Sequence, residues 1–121
     1  MEFMALVYGD EAGWERLSEA ERSAAYEGYV AVSRDAAAAG ALVDASELES
    51  TAAATSVRVR NGEALVTDGP YAEVKESLGG YYVFSCGTIE DAIALAAKIP
   101  SAWLGGAVEV RPVHVDEEAA V

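Results

Sequence analysis

Two short segments constrain this chain more than any others, because each is apolar on both sides. Glu2 to Tyr8 reads as a strand with Phe3, Ala5 and Val7 on one face and Met4, Leu6 and Tyr8 on the other. Tyr81 to Cys86 repeats the pattern. A strand of that kind is covered on both faces when folded. The rest of the chain offers two helical stretches. Ser18 and Glu21 form an S-x-x-E capping box that opens a helix running to about Ala39, with Gly40 as its stop. Tyr26, Tyr29, Val30, Ser33 and Ala37 are predicted to share its inward stripe. Thr88 with Asp91 caps a second helix that ends before Pro100.

The remaining segments complete a sheet. Gly9 to Leu17 reads as a loop, Ala41 to Val43 as a short strand, and Asp44 to Thr55 as a loop or irregular edge. Val57 to Arg60 and Glu63 to Val66 flank Asn61-Gly62, a two-residue turn whose residues tolerate positive φ. The register sets Arg60 opposite Glu63 and Val57 opposite Val66. Thr67 to Gly80 reads as a loop, and Ala107 to Val115 as a last strand with Pro112 marking an edge or bulge. The order strand, helix, strands, helix, strand predicts an α+β, ferredoxin-like antiparallel sheet with two helices on one face. Nothing then remains to cover the other face. A second copy of the chain, related by a twofold axis, is the simplest cover, so a homodimer is expected.

Composition narrows the functional classes. The 121 residues fit one domain, residues 1–115, followed by an acidic tail, residues 116–121. Eight Lys and Arg against 21 Asp and Glu leave a net charge of −13, which repels phosphate backbones and anionic lipid. Direct nucleic-acid and membrane partners are therefore not expected. No apolar run approaches the roughly 20 residues needed to span a bilayer. The start lacks the basic flank of a signal peptide, and Cys86 is the only cysteine. A cytoplasmic protein is expected. One histidine and one cysteine provide no metal-ligand spacing, so no metal or organic cofactor is expected.

Ionisable groups concentrate between Thr67 and Tyr81, in a segment punctuated by three glycines and a proline. Asp68-Gly69-Pro70 has two readings. It can be a turn, with Asp accepting local amides, Gly taking an unusual φ and Pro stiffening the exit. It can also present Asp68 as a general base or ligand anchor, its pKa raised by Glu73 and Glu76. The catalytic candidates are Asp68, Glu76 and Lys75. The ligand-binding candidates are Gly69, Pro70, Tyr71, Glu73 and Arg111. Lys75 beside two acids reads more as a surface ion pair than as a catalytic amine, and Arg111 more as a structural partner of an acid than as a carboxylate clamp. Tyr26, Tyr29, Tyr81 and Tyr82 read as core or interface residues, Cys86 as a small buried hydrophobe, and Arg58 and Arg60 as the wet face of the hairpin.

Asp68-Gly69-Pro70-Tyr71, Ala72-Glu73-Val74-Lys75-Glu76 and Gly79-Gly80-Tyr81 together resemble the signature of the YCII-related superfamily in its DGPF branch, named for an Asp-Gly-Pro-Phe motif. Tyr71 stands where the motif has Phe, keeping the ring and adding a hydroxyl. The similarity extends to the Tyr26/Tyr29 helix, the Val57-Arg58 strand with its Asn61-Gly62 turn, and Glu109-Val110-Arg111-Pro112. It implies a ferredoxin-like fold that pairs into a dimeric α/β barrel, without fixing a reaction. Some YCII-like proteins are suspected of His–Asp chemistry on a helix-borne histidine. The one histidine here, His114, lies near the end of the last strand, so that chemistry is not carried over. The branch's genomic association with extracytoplasmic-function sigma factors implies a regulatory context. Two functions follow as expectations: binding or acting on a small molecule in a barrel pocket beside Asp68-Gly69-Pro70, or serving as a non-catalytic dimeric module linked to a sigma-factor pathway.

Overall fold

A computed structural model of the chain describes residues 1–116. The acidic tail expected over 116–121 lies, apart from Asp116, outside the described residues. In chain order the elements are β1 (Glu2–Gly9), α1 (Glu11–Glu15), α2 (Glu19–Ala38), β2 (Leu42–Glu47), a 3-10 turn (Thr51–Ala53), β3 (Thr55–Arg60), β4 (Glu63–Asp68), β5 (Ser77–Ser85), α3 (Ile89–Ala96), α4 (Pro100–Trp103) and β6 (Ala107–Pro112). The architecture is α+β. Four strands form an antiparallel sheet in the order β2-β5-β1-β6, and β3 with β4 forms a separate two-stranded sheet.

The two doubly apolar segments are the sheet's inner pair. Phe3 sits opposite Phe84, Ala5 opposite Tyr82 and Leu6 opposite Tyr81. On one face, Ala5, Val7, Tyr82 and Phe84 meet Val32 and Ala36 of α2, Ala96 of α3, and Ile99 in a single buried cluster. The two longer helices therefore share a face. Tyr82 and Phe84 stack there with centroids 5.5 Å apart. Burial pushes the Tyr82 phenol above its ordinary value, against a hydrogen bond from Ser33.

The local end signals act as written in the sequence. Ser18 Oγ accepts from the Glu21 amide while Glu21 Oε1 accepts from the Ser18 amide, completing the capping box. Gly40 follows α2 at φ 70°, the left-handed position that favours glycine. The Asn61-Gly62 turn has φ of 53° and 77°, with Arg60 opposite Glu63 and Val57 opposite Val66.

Other expectations require correction. The inward stripe of α2 is Ala25, Val32 and Ala36 with Tyr29 beside them, while Tyr26 and Val30 are 51% and 63% exposed. Small residues face the sheet because they let the helix come close, whereas the larger Tyr26 packs edge-on against Trp14. Gly9 to Leu17 contains α1, whose N-cap Asp10 accepts from the Ala12 amide. The edge strand β2 runs to Glu47, because β5 starts at Ser77 and supplies partners as far as Gly80. Pro100 starts a further short helix, at the position where its missing N–H is harmless. β6 stops at Pro112 on the sheet edge, leaving His114 exposed beyond it. Cys86 is half-buried against the core, and desolvation, with a smaller contribution from Asp91, pushes its thiol up and disfavours a thiolate.

The corrected helix stripe has a direct test. Val32→Ala is expected to reduce unfolding free energy by about 1.5–3 kcal/mol, the range for a fully buried valine. Val30→Ala, on the exposed side of the same helix, should stay within about 0.5 kcal/mol. Urea unfolding of the two variants distinguishes this stripe from the one expected from sequence.

Candidate functional site

Two features remain once the core is assigned: the face of the sheet away from α2 and α3, and the segment joining β4 to β5. Strand registry defines the first. Met4 lies opposite Val83 and Arg111, Leu6 opposite Tyr81 and Glu109, and Asp44 opposite Val83. Met4, Leu6, Tyr81 and Val83 thus form an apolar centre, with Met4, Leu6 and Tyr81 only partly buried. Polar pairs flank it. At the β2 edge, the Tyr81 hydroxyl donates to Asp44 Oδ2 at 2.9 Å. At the β6 edge, Arg111 Nη2 and Nε reach Glu109 Oε1 at 3.0 and 3.1 Å.

Arg111 is therefore held by an acid two residues away on its own strand. It sits opposite Met4, whereas the loop after β4 enters β5 at Ser77, opposite Gly9. Five residues of β1 separate those positions, about 17 Å along the strand. Within one chain, Arg111 and the loop acids occupy different regions.

The segment after β4 is shorter than sequence suggests, because β4 runs to Asp68 and β5 starts at Ser77. Gly69 closes the base of the hairpin. Its amide donates to Ala54 O at 2.7 Å, its carbonyl accepts from Ser56 Oγ at 2.8 Å, and its φ of 103° favours glycine. The chain bends at Gly69, and Asp68 is the last residue of β4. Asp68, Pro70, Glu73, Lys75 and Glu76 are exposed, and Tyr71 is 80% exposed. Among the described residues, Asp68, Glu73, Lys75 and Glu76 make no side-chain hydrogen bond or ion pair with one another. The structure brings the four together in sequence and not in a bonded cluster.

The glycine pair that ends the motif has an architectural role at one position. A Cβ on Gly80 would come 2.8 Å from Ser46 O and 3.4 Å from Glu47 Cα on β2, while one on Gly79 would come no closer than 4.0 Å to Val7 O.

Sequence reasoning missed a tie beside this loop. The Glu11 carboxylate accepts from the Thr51 amide at 2.8 Å, from Thr51 Oγ1 at 3.1 Å and from Ser50 Oγ at 3.1 Å. The Thr51 amide is the main reason the Glu11 carboxyl lies below its ordinary range; slight desolvation opposes it and the two hydroxyls assist it. The tie fixes the segment between β2 and β3 to α1, next to a groove of about 280 Å³ lined by Leu48, Glu49, Ser50, Thr51, Ala53, Ala54 and Leu78. No local signal announces a contact across 40 residues. The Glu109–Arg111 pair did have a signal: these residues alternate with Val108 and Val110, which face the core. A larger hollow of about 520 Å³ is lined only by Tyr26, Glu27, Val30, Ala31 and Arg34 of α2, so it is a furrow along one helix. Among the described residues, no three His, Cys, Asp or Glu side chains gather as a metal-ligand group, and no helix is long and apolar enough to cross a membrane.

The sequence profile of the YCII-related domain matches residues 1–115. An uncharacterized protein of Rhizobium meliloti (strain 1021) is 35% identical over 114 residues, covering 93% of this chain and 92% of that one. The chain belongs to the YCII-related domain family.

Two tests follow from this geometry. Gly80→Ala is expected to destabilise the fold by about 1–3 kcal/mol through overpacking against β2, and Gly79→Ala by much less; denaturant midpoints decide it. The lowered pKa of Glu11 gives a stability contribution that is present above its unfolded value and lost as pH falls through the folded value. Glu11→Gln should therefore lower Tm at neutral pH, and its difference from wild type should shrink on acidification. A Tm difference that is constant with pH would show that the Glu11 charge is not the stabilising element.

Proposed function

We propose that two copies of the chain enclose small-molecule sites between their helix-free sheet faces, as a ferredoxin-like dimeric α/β barrel, with Asp68 and the Gly69–Glu76 loop at the mouth. The observation that carries this reading is the helix-free face itself. It has an apolar centre of Met4, Leu6, Tyr81 and Val83, partly open, with hydrogen-bonded polar pairs at both edges. Convergent polar groups around an apolar floor are the usual composition of a ligand pocket, and an apolar centre with a polar rim is that of an interface. The strand order β2-β5-β1-β6 supports the ferredoxin-like description. The barrel arrangement extends from family membership.

In this reading Asp68 supplies the acid that binds or deprotonates the ligand, assisted by Glu76 and Lys75. Gly69, Pro70, Tyr71 and Glu73 shape the rim. Arg111, already holding Glu109, lines the wall as a hydrogen-bond donor. The second reading, a non-catalytic module in a sigma-factor pathway, is favoured by one observation: the outer side of α2 presents Tyr26 and Val30 to solvent beside Trp14.

Light scattering at micromolar concentration is expected to give twice the 12.6 kDa chain mass, with on the order of 2,000 Å² buried in total. Asp68→Asn keeps size and removes charge. It is expected to leave the dimer and its Tm intact while weakening binding of hits from a panel of small carbonyl, phenolic and carboxylate compounds by about tenfold or more, the scale of a lost charged hydrogen bond. A monomer would end the dimeric reading, and unchanged binding with a sharply lower Tm would make Asp68 structural and end the site assignment.

A further inference from the structure

The hairpin of β3 and β4 has a stability problem that the rest of the chain does not solve. Registry places Val57, Val59, Ala64 and Val66 on one of its faces, and the three valines are 61%, 71% and 65% exposed. The other face carries Arg58, Arg60 and Leu65, also exposed. A two-stranded hairpin open on both sides is marginal in water, and a contiguous apolar patch on a projecting arm marks a contact surface. The base of the arm is closed by the Gly69–Ala54 and Ser56–Gly69 hydrogen bonds.

Charge indicates what covers it. Residues 55–68 hold two arginines and two acids, a net of zero, whereas the other residues hold six bases and nineteen acids. Arg58 and Arg60 make no ion pair among the described residues. Two copies of a chain this acidic repel each other at most orientations. The hairpin is a segment free of that excess, so its valine face can approach an acidic second copy with little repulsion. The helix-free face is the matching surface: its centre is apolar, and its Asp44 and Glu109 already have partners. Reach agrees as well, since six-residue strands extend about 20 Å and four sheet strands span about 14 Å.

We propose that the hairpin Thr55–Asp68 is a dimerisation arm whose valine face seats on the helix-free sheet face of a second copy, so that each site is lined in part by the partner's arm. This rests on the dimer reading above and adds the element that makes the contact. The test uses the full chain. Val57→Asp combined with Val66→Asp, checked for intact circular dichroism, is expected to raise the dimer dissociation constant at least about tenfold, as for a core interface position. In the wild type, hydrogen exchange at β3–β4 amides is expected to be slow at concentrations where the protein is dimeric and to speed up on dilution. A dimer whose dissociation constant ignores both substitutions, and whose hairpin exchange is independent of concentration, overturns the arm while leaving the dimer reading in place. A wild-type monomer at all accessible concentrations overturns both.

Discussion

The antiparallel pairing of β1 with β5 is the constraint on which the rest of the molecule depends. It places the two doubly apolar strands side by side in the interior of the sheet and fixes which face each side chain takes. A slip of one residue would turn Phe3, Ala5 and Val7 away from the helices and send Met4 and Leu6 toward them. The cost would fall on several buried side chains at once, so the register is strongly specified. The helices then follow. α2 presents alanines and Val32 to this surface, and Ala96 and Ile99 fill the space beside them. The edge strands are subordinate: β2 takes its register from β5, and β6 takes its register from β1.

Backbone packing explains half of the motif between Thr67 and Tyr81. Gly80 is required because β2 passes too close for a Cβ, and Gly69 because it takes a positive φ while both of its backbone groups are bonded at the hairpin base. These positions would be demanded in a protein without any activity. Asp68, Glu73, Lys75 and Glu76 have no such explanation. They are exposed, and none of them bonds to another. A segment whose glycines serve the fold and whose charges do not is the place where a requirement beyond folding would be visible, which is the physical content of assigning the site there.

Features governed by local chemistry were legible in the sequence. The Ser18–Glu21 box, the Thr88 cap, the Gly40 stop and the Asn61-Gly62 turn depend on residues within four positions of each other, and each is formed as read. Features set by packing were not. Of the stripe Tyr26, Tyr29, Val30, Ser33 and Ala37 that periodicity predicts, Tyr29 packs on the core, whereas Ala25, Val32 and Ala36 form the buried contact and Tyr26 packs on Trp14. The sequence marks only the start of β2 as a strand, because from Asp44 onward polar residues alternate with modest apolar ones; β5 extends it to Glu47 by supplying hydrogen bonds. At the site, the ionisable loop was legible, whereas the Glu11 tie to Ser50 and Thr51 depends on two segments brought together by the fold. Arg111 was recognised as a candidate, and its partner Glu109 follows from strand alternation once the core face is known.

Net charge sets the last condition. A chain at −13 resists close approach by its own copies, and this repulsion acts over roughly a Debye length, about 8 Å at physiological ionic strength. Any self-association would then favour surfaces where the acids are few or already bonded. On the helix-free face, Asp44 is hydrogen-bonded by Tyr81 and Glu109 is paired with Arg111, so burying these two acids desolvates groups that already have partners. The first turn of α2, by contrast, exposes Glu19 and Glu21, and that of α3 exposes Glu90 and Asp91. Those acids stabilise the helix N-termini, where the backbone dipole favours negative charge, and they also make the helical side a poor surface for self-association. The charge distribution that supports the helices thus leaves the opposite side of the sheet as the surface where a second copy meets least resistance. A contact directed in this way should be less dependent on added salt than one formed through the acidic helices.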